Sequence, residues 1–231
     1  MTRLAVSPED VMAQERAALL GEYLYPNGVM GGVQVPPYCA IPDWHVLRTT
    51  PTPLRQRHPI QLIELPGSRP GHAVVQLCPS LDYAFLWAHV DNDNYRSDYV
   101  RFLGAHHNLT LTSLPRTYHV DHLFNRARAR SMALPWVRMV LLPSFINVSH
   151  GGGYEGSRTR GGIGRPGRPR GIDEIVLLKL CGVSSPRQGM PLTPQMRVHL
   201  ARMAALFHLP AAELERNIAE LMQVARFRPQ G

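Results

Sequence analysis

Between Tyr118 and Tyr154 the chain reads YHVDHLFNRARARSMALPWVRMVLLPSFINVSHGGGY, and this stretch limits the fold more than any other. Residues 137–142 form a largely apolar run, broken only by Arg138, that Pro143 stops, which predicts a strand. Upstream, Tyr118 and Val120 alternate with His119 and Asp121. That pattern predicts a second strand, antiparallel to the first, with His119 and Asp121 on one face and His122 at its end. The segment LFNRARARSMA between them reads as helical. Beyond Pro143, residues 145–150 predict the start of a helix or a tight turn. Two polar groups then flank one strand pair: His119, Asp121 and His122 on one side, and Asn147, Ser149 and His150 on the other.

The 231-residue length suits one large domain or two small ones. A hydrophobic fraction of 44% predicts a packed core. Lys+Arg total 25 against 17 Asp+Glu, a net charge of +8, and Lys179 is the sole lysine. Guanidinium forks match phosphate geometry and stay charged, so a polyanion, nucleic acid first, is the expected partner. Cys39, Cys78 and Cys181 include no CxxC pair, against a disulfide framework and against a thiolate zinc site. The N-terminus lacks a signal-type apolar segment, and no run approaches the roughly 20 apolar residues of a membrane helix. The expectation is a soluble, cytoplasmic protein, or an effector delivered without a classical signal peptide.

The other segments are shorter arguments. Ser7, Pro8, Glu9 and Asp10 predict the capped start of a helix over residues 7–24. Residues 28–59, rich in Pro and Gly, read as a long irregular arm. Residues 61–65, 72–78 and 83–89 predict a three-stranded antiparallel meander. Asp91-Asn92-Asp93-Asn94 lacks the Gly and distal Glu of a calcium loop, and predicts a turn and cap before a helix over 98–106. Residues 157–171, SRTRGGIGRPGRPRG, predict a mobile loop carrying Arg158, Arg160, Arg165, Arg168 and Arg170. Residues 172–183 fit a strand or a buried helix. Thr193 and Pro194 open the first of two C-terminal helices, over 194–207 and 210–227.

A carboxylate beside an imidazole suits phosphodiester cleavage. The carboxylate binds a hard divalent cation, and the imidazole, with an ordinary pKa of about 6.5, takes a proton from water. The strand, connection, strand, helix-start order of 118–154 resembles the ββα-metal finger of the HNH nuclease superfamily. The resemblance implies that Asp121 binds Mg²⁺, that His122 is the base, and that Asn147 or His150 completes the metal site. His119 is a second catalytic candidate. Arg126, Arg128 and Arg130, with the arginines of 158–170, would grip phosphates.

The expected fold is α+β: a short antiparallel sheet with flanking helices, a ββα-like finger and a C-terminal helical hairpin. Residues 1–110 would hold the helix, arm and meander, and 111–231 the nuclease core, unless the two form one continuous domain. The expected function is a metal-dependent nuclease acting on DNA or RNA, of a kind suited to a toxin or effector held in check by an immunity protein. Two other readings stay open. One is a non-catalytic nucleic-acid-binding or adaptor protein, in which Asp121 merely caps a helix starting at His122. The other is a metal-independent ribonuclease built on other histidines, such as His106 and His107.

Overall fold

The computed structural model describes residues 7–24, 29–30, 33–34, 37–50, 53–156, 165–187, 191–207 and 211–224. In chain order the elements are α1 (Pro8–Leu24), β1 (Val29–Met30), β2 (Val33–Gln34), β3 (Tyr38–Ile41), α2 (Trp44–Thr49), α3 (Pro53–Arg57), β4 (Gln61–Glu64), β5 (Ala73–Cys78) and β6 (Tyr83–His89). They continue with α4 (Tyr95–His107), β7 (Tyr118–His122), α5 (Arg126–Ser131), β8 (Trp136–Pro143), α6 (Ser144–Gly152), β9 (Arg170–Gly171), α7 (Glu174–Leu180), α8 (Pro194–Phe207) and α9 (Ala211–Val224). The fold is α+β.

Two compact units share the chain. One comprises 1–142 with 165–171, the other 143–164 with 172–231. The join expected near residue 110 lies inside the first unit.

The sheet of the first unit runs β4-β5-β6-β8-β3-β9, with β7 also on β8. The meander formed as expected: Gln61 pairs with Leu77, Val75 with Leu86. Alternation sends Val75, Leu86 and Met139 into a core with Tyr99 and Phe102 of α4 and Val11 of α1. Trp87 turns to the opposite face, where it packs with Ile41 and Leu47.

α1 is anchored to β8 by a buried carboxylate. β6 pairs with β8 from Arg138 opposite Trp87 to Trp136 opposite His89. On β8, the Leu141 N–H donates to Glu15 Oε2 at 2.9 Å.

Several expectations need correction. The 28–59 arm is not irregular throughout: Tyr38–Ile41 forms β3, which pairs with both β8 and β9. Asp43 caps α2, its Oδ1 accepting from His45 N at 2.8 Å. Four residues between prolines carry too little periodicity to show a strand whose partners lie about a hundred positions away. Residues 170–171 of the expected loop are strand β9, and Gly167 N donates to Met132 O at 2.8 Å. Residues 157–164 lie outside the described residues. Of the two forms left open for residues 172–183, residues 174–180 take the buried helix, capped by Asp173. Asp121 does not cap a helix: β7 continues through His122, and Asn125 caps α5 instead, accepting from Arg128 N at 3.0 Å.

In the second unit, Gly153 ends α6 where space is tightest. A Cβ there would lie 2.7 Å from Ser185 Oγ and 2.9 Å from Ser149 O. Ser185 is held by its own bonds, with its N donating to Ser149 Oγ at 3.0 Å and its Oγ accepting from Tyr154 N at 3.3 Å. Thr193 caps α8, as its sequence implied, accepting from Met196 N.

Candidate nucleic-acid site on strand β7

β7 carries Asp121 and His122 at consecutive positions, each only 8% exposed. Val120 belongs to the core, so alternation puts His122 on that same face and His119 with Asp121 on the other. The position of His122 agrees: its ring meets the Tyr95 ring of α4 edge-on, with centroids 4.6 Å apart. Just past the pair, Leu123 N donates to Arg138 O at 2.9 Å and ties the end of β7 to β8.

The arginines of α5 are engaged within the protein. Arg126 Nη1 lies 3.3 Å from Asp93 Oδ1, and Arg130 Nε 3.0 Å from Asp91 Oδ1. Arg130 Nη2 also donates to Val90 O at 2.6 Å. Arg128 is buried, its guanidinium 4.8 Å from the Phe124 ring centroid. The acidic 91–94 turn thus holds basic side chains, while Asn92 secures it by donating to Asp98 Oδ2 at 2.8 Å. Arg165 and Arg168 are exposed, and Arg170 is half-buried and donates to Arg165 O at 3.3 Å. Arg158 and Arg160 lie outside the described residues.

Asn147 and His150 belong to the second unit, on α6. His150 is fully buried, and its Nε2 lies 2.9 Å from Val183 O. Burial pushes its pKa down to about 4, the Val183 carbonyl opposing, so the ring is neutral at pH 7. A neutral ring whose one N–H is fixed by a carbonyl keeps a lone pair on Nδ1, and ligating imidazoles are commonly held in this way. Among the described residues, Nδ1 has no hydrogen-bond partner.

Among the described residues no three His, Cys, Asp or Glu side chains gather closely enough to hold an ion. A closed zinc cage is therefore not formed by these groups. Mg²⁺ makes a smaller demand on the protein, one or two carboxylates, with water and phosphate oxygens completing its shell.

Sequence reasoning missed the feature beside β7. A cavity of about 720 Å³ lies between α4, the 112–116 segment and the start of β7. Arg96, Arg101, Arg116 and His119 line it. Arg96, Val100 and Arg101 of α4 all contribute to the lining. Arg96 also lies over the Tyr95 ring, 5.4 Å from its centroid, and that same ring meets His122.

Comparison with protein-family models, curated proteins and solved structures found no match. No described helix is long and apolar enough to cross a membrane.

Proposed function

We propose that this protein is a metal-dependent nuclease that hydrolyses phosphodiester bonds in DNA or RNA. The observation that carries the reading is that Asp121 and His122, consecutive at the end of β7, directly follow Tyr118, His119 and Val120, which line the arginine-rich cavity.

In this proposal His122 accepts a proton from a water molecule as the water oxygen attacks phosphorus and the bond to the leaving oxygen breaks. Asp121 would hold a divalent cation, which neutralises charge on the phosphate and the leaving oxygen. Tyr95, packed on the His122 ring, fixes the orientation of the base. Binding without cleavage is the second reading. It is favoured by the cavity, whose lining would serve either function.

A plasmid-nicking assay with Mg²⁺, with an EDTA control, tests the proposal. Wild type should cleave, EDTA should stop it, and His122→Ala and Asp121→Asn should each lose about 10²–10⁴-fold in rate. Cleavage that persists at the wild-type rate in His122→Ala would overturn the assignment. Absence of cleavage by folded wild type would overturn the nuclease reading itself.

A further inference from the structure

Two cavities among the described residues of the first unit are of nearly equal size and opposite character. One, about 690 Å³, is lined by Glu15, Glu22 and Asp82 among others. The other, about 720 Å³, is lined by Arg96, Arg101, Arg116 and His119, and by no carboxylate. Arg101 is tied on one side, its Nη1 2.5 Å from Asp98 Oδ1. Arg96 and Arg116 are exposed, and among the described residues neither forms an ion pair. The clustering is therefore local, and not a consequence of the net charge alone.

The floor of this cavity is apolar. Val100, Leu114 and Val120 supply it, and Tyr118 adds an aromatic ring. The Tyr118 hydroxyl is bonded to Glu9 Oε1, which anchors the side chain. A duplex shows a protein its convex phosphate backbones and keeps its bases stacked inside. A single strand can turn an unpaired base onto a ring while its phosphates meet cations at the rim. Ligand cavities of about 300–1,000 Å³ take molecules of that size.

We propose that this cavity binds single-stranded nucleic acid, with an unpaired base over Val100, Leu114 and Tyr118 and flanking phosphates on Arg96, Arg101 and Arg116. Three guanidiniums exceed what one monophosphate requires and suit consecutive phosphates of a strand. Tyr95 joins the two regions, since its ring touches both Arg96 and His122. The inference rests on the nuclease reading for the fate of the strand, and binding alone is measured without a divalent cation.

The test is fluorescence anisotropy in EDTA with a labelled oligothymidylate, the same strand in a blunt duplex, and thymidine monophosphate as competitor. The single strand should bind about tenfold or more tightly than the duplex, and the mononucleotide should compete poorly. Arg96→Ala/Arg116→Ala should lose about tenfold or more in affinity and flatten the log–log salt slope by about 1.4. Arg48→Ala, an exposed charge lost from the last turn of α2, should bind like wild type. Circular dichroism checks that the variants fold. Equal or tighter duplex binding, full competition by the mononucleotide, unchanged binding by the double variant, or no binding at all would each overturn the inference. Strand binding without cleavage would overturn the nuclease reading alone. Cleavage with the double variant binding normally would overturn only this one.

Discussion

Glu15 is the residue whose chemistry bears most directly on stability. Burial raises its carboxyl pKa from 4.5 to about 7, against the opposing pull of the Tyr99 hydroxyl, the Leu141 N–H and the Arg138 charge. The sign follows from proton binding. Folded chain keeps the proton up to about pH 7, while unfolded chain releases it near 4.5. The associated stability is full below 4.5, declines across that interval and is gone above 7. The difference is worth roughly 3 kcal/mol, at about 1.4 kcal/mol per pKa unit. In Glu15→Gln the amide oxygen can still accept from the Leu141 N–H, while the Tyr99 hydroxyl, 2.6 Å from the other carboxylate oxygen, can turn to accept from the amide N–H. Relative to wild type, the variant should gain stability as pH rises from 4.5 to 7, read as urea midpoints, and should be the more stable of the two at pH 8. Midpoints that run parallel for the two proteins would refute the assignment.

Elements differed in how much of themselves they showed in the sequence. The meander and α1 were legible because apolar alternation and the Ser7 cap are local signals; Asp10 N does donate to Ser7 Oγ at 3.2 Å. β3 was not legible, because it exists through partners, including Arg170 opposite Ala40, that no local pattern announces. Within the site, Asp121 and His122 stood out as a pair, and β7 carries both. The arginines of α5 also stood out, yet Asp91 and Asp93 claim two of them, a pairing set by the fold of the 91–94 turn. Arg96 and Arg116 passed unnoticed because a cavity between a helix and a loop has no sequence period. Gly153 makes a further case: three successive glycines look like a flexible spacer, but this one abuts the Ser149 carbonyl and Ser185. Gly153→Ala should destabilise by about 1–3 kcal/mol, since backbone on one side cannot give way. Gly151→Ala and Gly152→Ala have open space around the added carbon and should cost far less. Thermal unfolding of the three variants checks the ordering.

Across the whole molecule, acid sensitivity is set by imidazoles in both units. Burial lowers His107 to about 4, with the neighbouring His106 adding to the effect, and lowers His150 to the same range. His106 and His89 shift in the same direction, in each case chiefly through burial. A folded-state pKa below the ordinary 6.5 means that unfolded chain takes up the proton first, so the stability is present above 6.5 and lost as pH falls towards 4. Glu15 opposes this over most of the same interval. Two strongly shifted imidazoles against one carboxyl leave a net uptake of one proton on unfolding, or about 1.4 kcal/mol per pH unit. Stability should therefore rise from pH 4.5 to about 6.5, where the imidazole gain ends and only the Glu15 decline remains. His107→Gln should flatten the acid side of the profile. The ring it replaces contacts Gln14 Oε1 at 3.2 Å and packs on Phe102, so the variant will also lose some stability at every pH. The slope, not the height, is the readout: urea midpoints at half-unit steps would show wild type steeper than His107→Gln below pH 6.5. Equal slopes would mean that His107 stays protonated in the folded chain, and that burial at the end of α4 is less complete than the packing against Phe102 implies.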